Sequence, residues 1–343
     1  MTPQQFEDVF VKIESDINKE STNYRESITA RQRLAICLRF LATGDSYSTI
    51  SFSYRVGKST VSKIVKETCD AIWRRLQPIY MSEPTTDDWE NIEKGFSERW
   101  NFPNCFGALD GKHVVITAPP ASGSTYYNYK GTFSIVLLAL VDDKYCFSVI
   151  DAGGYGSNSD GGLFKSSALG KKLQNDTLGL PNDKPLPDAP ELGSMLYALV
   201  ADEAFPLTTH TMRPVPVRGL NDEDRIYNYR LLYARRISEN AFGILASRWR
   251  MYHWKIPLSP ENLDSVVRAT CVLHNMLQSQ NQQSYSQAVN ENEPTPNSIL
   301  RNLSHRGCHA TNDALVRNKY KTYFSSAAGA VAWQREYGFG RAN

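Results

Sequence analysis

The sequence predicts an α/β protein: a mixed sheet with helices on its faces, preceded by an all-α region. Three observations predict it. Apolar residues recur at helical spacing through the first 76 or so positions, and from residue 105 the pattern switches to short apolar runs separated by turn residues. Residues 225–255, RIYNYRLLYARRISENAFGILASRWRMYHWK, then contain no Pro and a single Gly, which is room for one long helix packed back on the sheet.

At 343 residues the chain is too long for one small core, and its 41% hydrophobic and 11% aromatic content is that of a globular protein. The net charge of +2 is too small to imply nucleic-acid binding by itself, so local charge must carry that argument. Six cysteines at 37, 69, 105, 146, 271 and 308 include no CxxC pair, which argues against a disulfide framework or zinc ribbon and fits a reducing intracellular compartment. The acidic, polar start is unlike a signal peptide, and no apolar run approaches 18 residues, so no membrane partner is expected.

Residues 1–21 hold five acids against two lysines, but residues 22–76 hold ten Lys and Arg against four acids. Within that basic stretch Thr29 can cap a helix over ARQRLAICLRFLATGD, with Leu34, Leu38 and Leu41 at helical spacing and Gly44 closing it. A short helix with inward Ile50, a turn near Val56 and Gly57, and a second helix with inward Val61, Ile64 and Val65 follow as a helix-turn-helix over about 29–76. Lys58, Ser59, Ser62, Lys63 and Lys66 are left outside, where Ser and Lys at the start of the second helix suit phosphate and base-edge contacts. The competing reading is a basic helical bundle that packs on the next domain without touching DNA. GKST at 57–60 imitates a phosphate-binding loop but lacks the earlier Gly, since position 52 is Phe52.

Residues 81–104 read as a polar connector. Residues 105–110 and 113–119 read as strands around a turn at Asp110 and Gly111, and 132–143 and 144–154 as two more joined by an Asp-Asp-Lys turn. Residues 159–173 read as one helix, 174–193 as a surface loop, 195–205 as a buried strand ending in two acids, and 213–217 as a short edge strand. Three antiparallel strands followed by parallel crossovers give the mixed sheet.

Three carboxylates then stand out. Asp110 ends an apolar strand, Asp202 ends the next central strand, and Glu239 is the only acid among seven Lys and Arg in 225–255. Ends of neighbouring strands are where open sheets place their sites. On that helix Tyr233, Ile237, Ala241 and Ile244 form one stripe, with Glu239 expected to be buried among Phe242, Ala246 and Trp249 opposite. Clustered buried acids need a counterion, and hard oxygen donors without a Cys or His cluster indicate Mg²⁺ or Mn²⁺. Two such ions roughly 3.5 to 4 Å apart suit in-line phosphoryl transfer. The plainer reading of Glu239 is an ion pair with Arg235 or Arg236.

These segments resemble the PIF/Harbinger superfamily of DDE transposases and the Harbinger-transposase-derived nucleases. FGALDGKHV is similar to that family's first acid segment, LVADEAFPL with MRPVP to its second, and NYRLLYARRISENAFGILASRWRMY to its third; RATCVLHNML is similar to the helix that follows. The resemblance covers roughly 31–277, and 36 residues separate Asp202 from Glu239, as in the short second interval of DDE enzymes. Leu232 and Tyr233 stand where the family commonly has Ser and Arg, and ADEAF replaces a more usual Gly-Asp form. The resemblance implies a ribonuclease H-like catalytic domain at 96–280 after a helical region at 1–95. It implies an Asp110, Asp202, Glu239 triad as catalytic and metal-binding residues, and double-stranded DNA as substrate, with terminal inverted repeats if the element is live. A Myb-like DNA-binding partner and nuclear localisation, cytoplasmic without that partner, are implied as well.

Other groups carry structural alternatives. Asp151 and Asp160 are second-rank carboxylates that read as a strand end and a helix cap, and Glu203 as a neighbour pointing away from the site. Asp142 and Asp143 read as turn residues, and Cys271 with His274 as core polar groups. Lys112 and His113 are read as phosphate contacts or as solvated turn residues, and Arg213, Arg235, Arg248 and Arg250 as a DNA channel or surface ion pairs. Residues 281–343 read as a polar linker and a terminal helix packed by Leu315, Tyr320, Tyr323 and Phe324, serving stability or homo-oligomerisation. Two functions remain open: a metal-dependent DNA endonuclease and strand-transferase, and a host-recruited DNA-binding or chromatin protein that keeps the fold without transposing.

Overall fold

A computed structural model describes residues 1–21, 26–216, 219–280 and 311–334. Its first hundred residues form helices with legible punctuation. Helix α1 (Pro3–Ile17) starts with a Thr2–Gln5 capping box, α2 (Ala30–Thr43) is capped by Thr29 and closed by Gly44 at φ 72°, and α3 (Tyr47–Tyr54) is capped by Ser46. A turn with Arg55 in the left-handed region leads to α4 (Lys58–Tyr80). Ile50, Val61, Ile64 and Val65 are buried as expected. The apolar face of α4 packs on α1, α2 and α9 (Pro260–Gln280).

The expected connector is a helix instead. Thr85 and Asp88 form a capping box for α5 (Thr86–Trp100), and Trp89, Phe96 and Trp100 are buried. Trp89 packs edge-on against Phe106 with ring centroids 5.5 Å apart and donates Nε1–H to the Leu178 carbonyl at 3.3 Å. Apolar positions 89, 92, 96 and 100 do follow helical spacing, but the acids and lysines between them dilute the pattern.

Strand β1 runs unbroken as Cys105–Val115, with no turn at Asp110 and Gly111, because Gly111 pairs with Leu138 in the ladder. Strands β2 (Ser134–Val141) and β3 (Phe147–Tyr155) complete an antiparallel meander. The turn between them is held by Asp142, whose Oδ1 accepts the N–H of Lys144 at 2.8 Å and of Cys146 at 2.7 Å. The single helix expected next is two, α6 (Asp160–Ser166) and α7 (Ala168–Gln174), because Ser167 ends one and caps the other. The second half of the expected loop at 174–193 pairs instead, as β4 (Lys184–Leu186) and β5 (Ala189–Met195), the latter running into the first residue of the expected strand.

The buried strand at 195–205 reduces to β6 (Ala198–Val200), and the edge strand lies at β7 (Thr211–Met212) rather than 213–217. Pro214 and Pro216 lack the N–H a ladder needs, and 217–218 lie outside the described residues. Sheet order is β3-β2-β1-β6-β7, with β6 parallel to both β1 and β7. The result is a mixed five-stranded sheet with α8 (Asp222–Arg248) and α9 on one face and α6 and α7 on the other. Helix α10 (Thr311–Ser325) packs on α8 through Tyr320, Tyr323 and Phe324, whereas Leu315 is exposed. The expected linker at 281–310 lies outside the described residues.

Candidate active site

Alternation along β1 decides where Asp110 points. Ala108 belongs to the buried cluster on the α8 face and Leu109 to the cluster on the opposite face, so Asp110, two residues after Ala108, faces α8. Ala108 pairs in parallel with Val200, so Asp202, two residues beyond Val200, comes level with Asp110 where β6 ends. Asp202 Oδ1 accepts the Ala204 N–H at 2.9 Å, which orients the loop.

Helix α8 brings the third acid. Its line Glu239, Gly243 and Ser247 is exposed, so Glu239 is not buried among Phe242 and Trp249 as expected; its side chain is 51% exposed. Arg235, one turn earlier and only 14% exposed, donates to Glu239 and holds its Nη1 3.9 Å from Asp110 Oδ2. The expected i,i+4 ion pair is therefore present, and the same guanidinium also reaches the first acid.

Burial pushes the Asp110 carboxyl up to about 7, with Asp202 and Glu239 adding repulsion and Arg235 and the Gly111 N–H opposing them. Asp202 is raised by burial and by Glu203 and Glu239, against the Ala204 N–H and Arg235. Asp160 is pushed up to about 6 by burial and then by Asp202. A divalent cation would offset that repulsion. Among the described residues no three His, Cys, Asp or Glu side chains form a ready-made cage. The donors present fit a hard divalent ion nonetheless: they are all carboxylates, their ionised forms repel one another, and Asp160 Oδ1 is buried without a hydrogen bond.

Other predicted residues lie elsewhere. Asp151 is exposed on β3 and senses Arg268 and Lys171. Asp143 is buried against Arg99. His274 is buried and neutral, its Nε2–H donating to the Tyr145 carbonyl at 2.8 Å, with burial lowering its pKa to about 3. Lys112 lies over the Phe242 ring at 5.8 Å, and His113 Nδ1 meets Ser134 Oγ at 2.8 Å. Lys58, Ser59 and Lys63 are exposed, Ser62 is half-buried, and Lys66 pairs with Asp70 at 2.8 Å.

Two arginines expected to contact DNA are otherwise engaged. Arg213 is buried and donates Nη1–H to the Glu203 and Phe205 carbonyls at 3.2 and 3.4 Å, bracing the Asp202 loop; Arg235 is occupied by carboxylates. The bracing role of Arg213 is visible only in three dimensions. Asp160 is not a helix cap either, since Ser159 Oγ accepts the Gly162 N–H at 3.2 Å.

Residues 109–275 match the family described as DDE superfamily endonuclease. The protein named Antagonist of Like Heterochromatin Protein 1 of Arabidopsis thaliana is 27% identical over 73% of this chain and 63% of its own length. A second Arabidopsis protein, ALP1-like, is 27% identical over 77% and 66%. The chain thus spans less than two thirds of either. Human HARBI1, a candidate nuclease by its name, is 23% identical over 80% of this chain and 74% of its own length. No solved structure matches. Over residues 109–275 the chain is thus similar to DDE superfamily endonucleases, and over most of its length to these three relatives.

Proposed function

We propose that the chain is a metal-dependent DNA endonuclease in which Asp110, Asp202 and Glu239 hold one or two Mg²⁺ or Mn²⁺ ions, and that it cuts, with joining as a further step, DNA phosphodiester bonds. The observation that carries this reading is that one guanidinium, Arg235, reaches Asp110 of β1 and Glu239 of α8 and acts on Asp202 just past β6, beside the interior strands of a mixed sheet of ribonuclease H-like order. The bound ion supplies an activated nucleophile and stabilises the leaving oxygen. Asp110, with a carboxyl pushed up to about 7, holds a proton near neutrality and yields it when a cation binds. Arg235 balances the acids in the meantime, and Arg213 fixes the loop that orients Asp202.

DNA delivery belongs to the helical region at 1–95. The exposed start of α4, with Lys58, Ser59 and Lys63, is the surface we assign to phosphate and groove contacts, in a helix-turn-helix role for α3 and α4. The catalytic domain spans 96–280 and the tail 281–343. Double-stranded DNA is the substrate, and a Myb-like partner and nuclear residence go with it. The name of the Arabidopsis relative favours a second reading, a host-recruited chromatin protein that retains the fold. Incubating purified protein with inverted-repeat DNA tests the choice. Nicking that requires Mg²⁺ and stops with chelator supports the endonuclease, whereas tight DNA binding with no nicking under Mg²⁺ or Mn²⁺ supports the second reading.

A further inference from the structure

The first turn of α6 lies against the middle of β1, which carries Asp110, and against the loop after β6, which carries Asp202, and two glycines make the fit. A Cβ added to Gly111 would lie 2.5 Å from Asp160 Oδ1, so the Asp160 carboxylate rests directly on the β1 backbone next to Asp110. A Cβ added to Gly161 would lie 2.7 Å from the Ala204 carbonyl oxygen, so the turn also presses on the Asp202 loop. Phe164, one turn on, packs edge-on against Phe205 of that loop with centroids 5.9 Å apart. Asp160 therefore sits at a fixed place between the middle of β1 and the loop after β6.

Its chemistry is unspent there. Ser159 caps the helix, so the Asp160 carboxylate is not consumed as a cap. Asp160 Oδ1 is shielded from solvent and accepts no hydrogen bond. An orphaned acceptor in such a position is costly unless a ligand uses it. The charged groups that act on it are Asp202, which repels it, and Lys130, which attracts it.

We propose that Asp160 is a fourth carboxylate of the centre, ligating through Oδ1 the divalent cation that Asp202 also holds. A hard cation meets both needs at once, because it satisfies the buried oxygen and cancels the repulsion between the two acids. This rests on the metal-site reading of Asp110 and Asp202, and extends it to a residue on the opposite face of the sheet. Gly111 then serves as the cradle that lets the fourth acid approach β1.

The test measures Mn²⁺ binding directly, by calorimetry and by the paramagnetic signal of free ion, with no DNA present. Asp160→Asn should weaken Mn²⁺ binding by about 10-fold or more, the scale on which supporting groups affect metal affinity. Gly111→Ala, which displaces the carboxylate without removing it, should do the same, and Asp151→Asn should bind like wild type. Melting temperatures of the metal-free variants establish that each is folded. Wild-type Mn²⁺ affinity in Asp160→Asn, with binding lost in Asp202→Asn, overturns the role of Asp160 and leaves the metal site standing. Binding unaffected by Asp110→Asn and Asp202→Asn alike overturns both.

Discussion

Helices α8 and α9 pack on the same face of the same sheet, yet treat their polar side chains in opposite ways. From Thr270 to Gln278, α9 leaves little unpaired. Asn275 accepts the Phe147 N–H at 2.9 Å and donates to the carbonyls of Phe147 and Tyr80 at 2.9 and 2.8 Å. His274 donates to Tyr145, and Gln278 accepts from Arg248 at 2.9 Å. Where α8 meets the middle of β1 and the end of β6, by contrast, one guanidinium is shared between two acids and Arg235 Nε is buried without a partner. Satisfied buried polar groups lock a fold; frustrated ones mark a place where a ligand completes the bonding.

Substitutions on the two sides of this contrast should have unlike consequences. Asp202→Asn should lower Mg²⁺-dependent nicking by roughly 100- to 1,000-fold, the scale seen when a group that stabilises transition-state charge is removed, without lowering the melting temperature. A large stability loss would make Asp202 a fold-locking group like Asn275.

Asp110 gives the pH signature. Its folded pKa of about 7 lies above the ordinary 3.8, so the native state holds the extra proton between those values and stability falls as pH rises through the window. In chelated protein, Asp110→Asn should be the more stable form at pH 8, by up to about 4 kcal/mol, and nearly equal to wild type at pH 4. Thermal melts at the two pH values measure the difference; a loss of stability at pH 8 would mean that Arg235 needs Asp110 more than burial penalises it.

On the α9 side, Asn275→Ala should cost roughly 3 kcal/mol, because three backbone groups lose their partner, while Mn²⁺ affinity stays unchanged. Chemical denaturation and metal titration on one preparation separate the two quantities. The smallest effect concerns the helical region: Lys58→Glu with Lys63→Glu should flatten the salt dependence of DNA binding by about 0.9 of a log unit per lost phosphate contact. Unchanged slopes would return α3 and α4 to a purely structural role.

The sequence showed most plainly what depends on local pattern. The apolar run before Asp202 and the Pro-free stretch around Glu239 locate strand β6 and helix α8 without any tertiary information, and the β2–β3 hairpin follows from its Asp-Asp-Lys turn. What it hid depends on contacts between distant segments. Helix α5 was masked because Trp89, Ile92, Phe96 and Trp100 are interspersed with charge. The continuity of β1 was missed because Gly111 reads as a turn residue, whereas its missing side chain makes room for Asp160, 49 positions later. Arg213 looked like a DNA contact because nothing local announces the carbonyls of Glu203 and Phe205 that absorb its charge.

Glu239→Gln separates metal binding from ion pairing, because it keeps the shape of the side chain while removing the charge that would hold a cation. Melting temperature, DNA affinity and Mg²⁺-dependent nicking are measured on the same preparation. Folding and DNA affinity should survive while nicking falls by orders of magnitude. If Glu239 served only as the ion-pair partner of Arg235, the result would reverse: a destabilised protein that still cleaves at the wild-type rate per folded molecule, which would contradict the assignment of Asp110, Asp202 and Glu239 as a catalytic set.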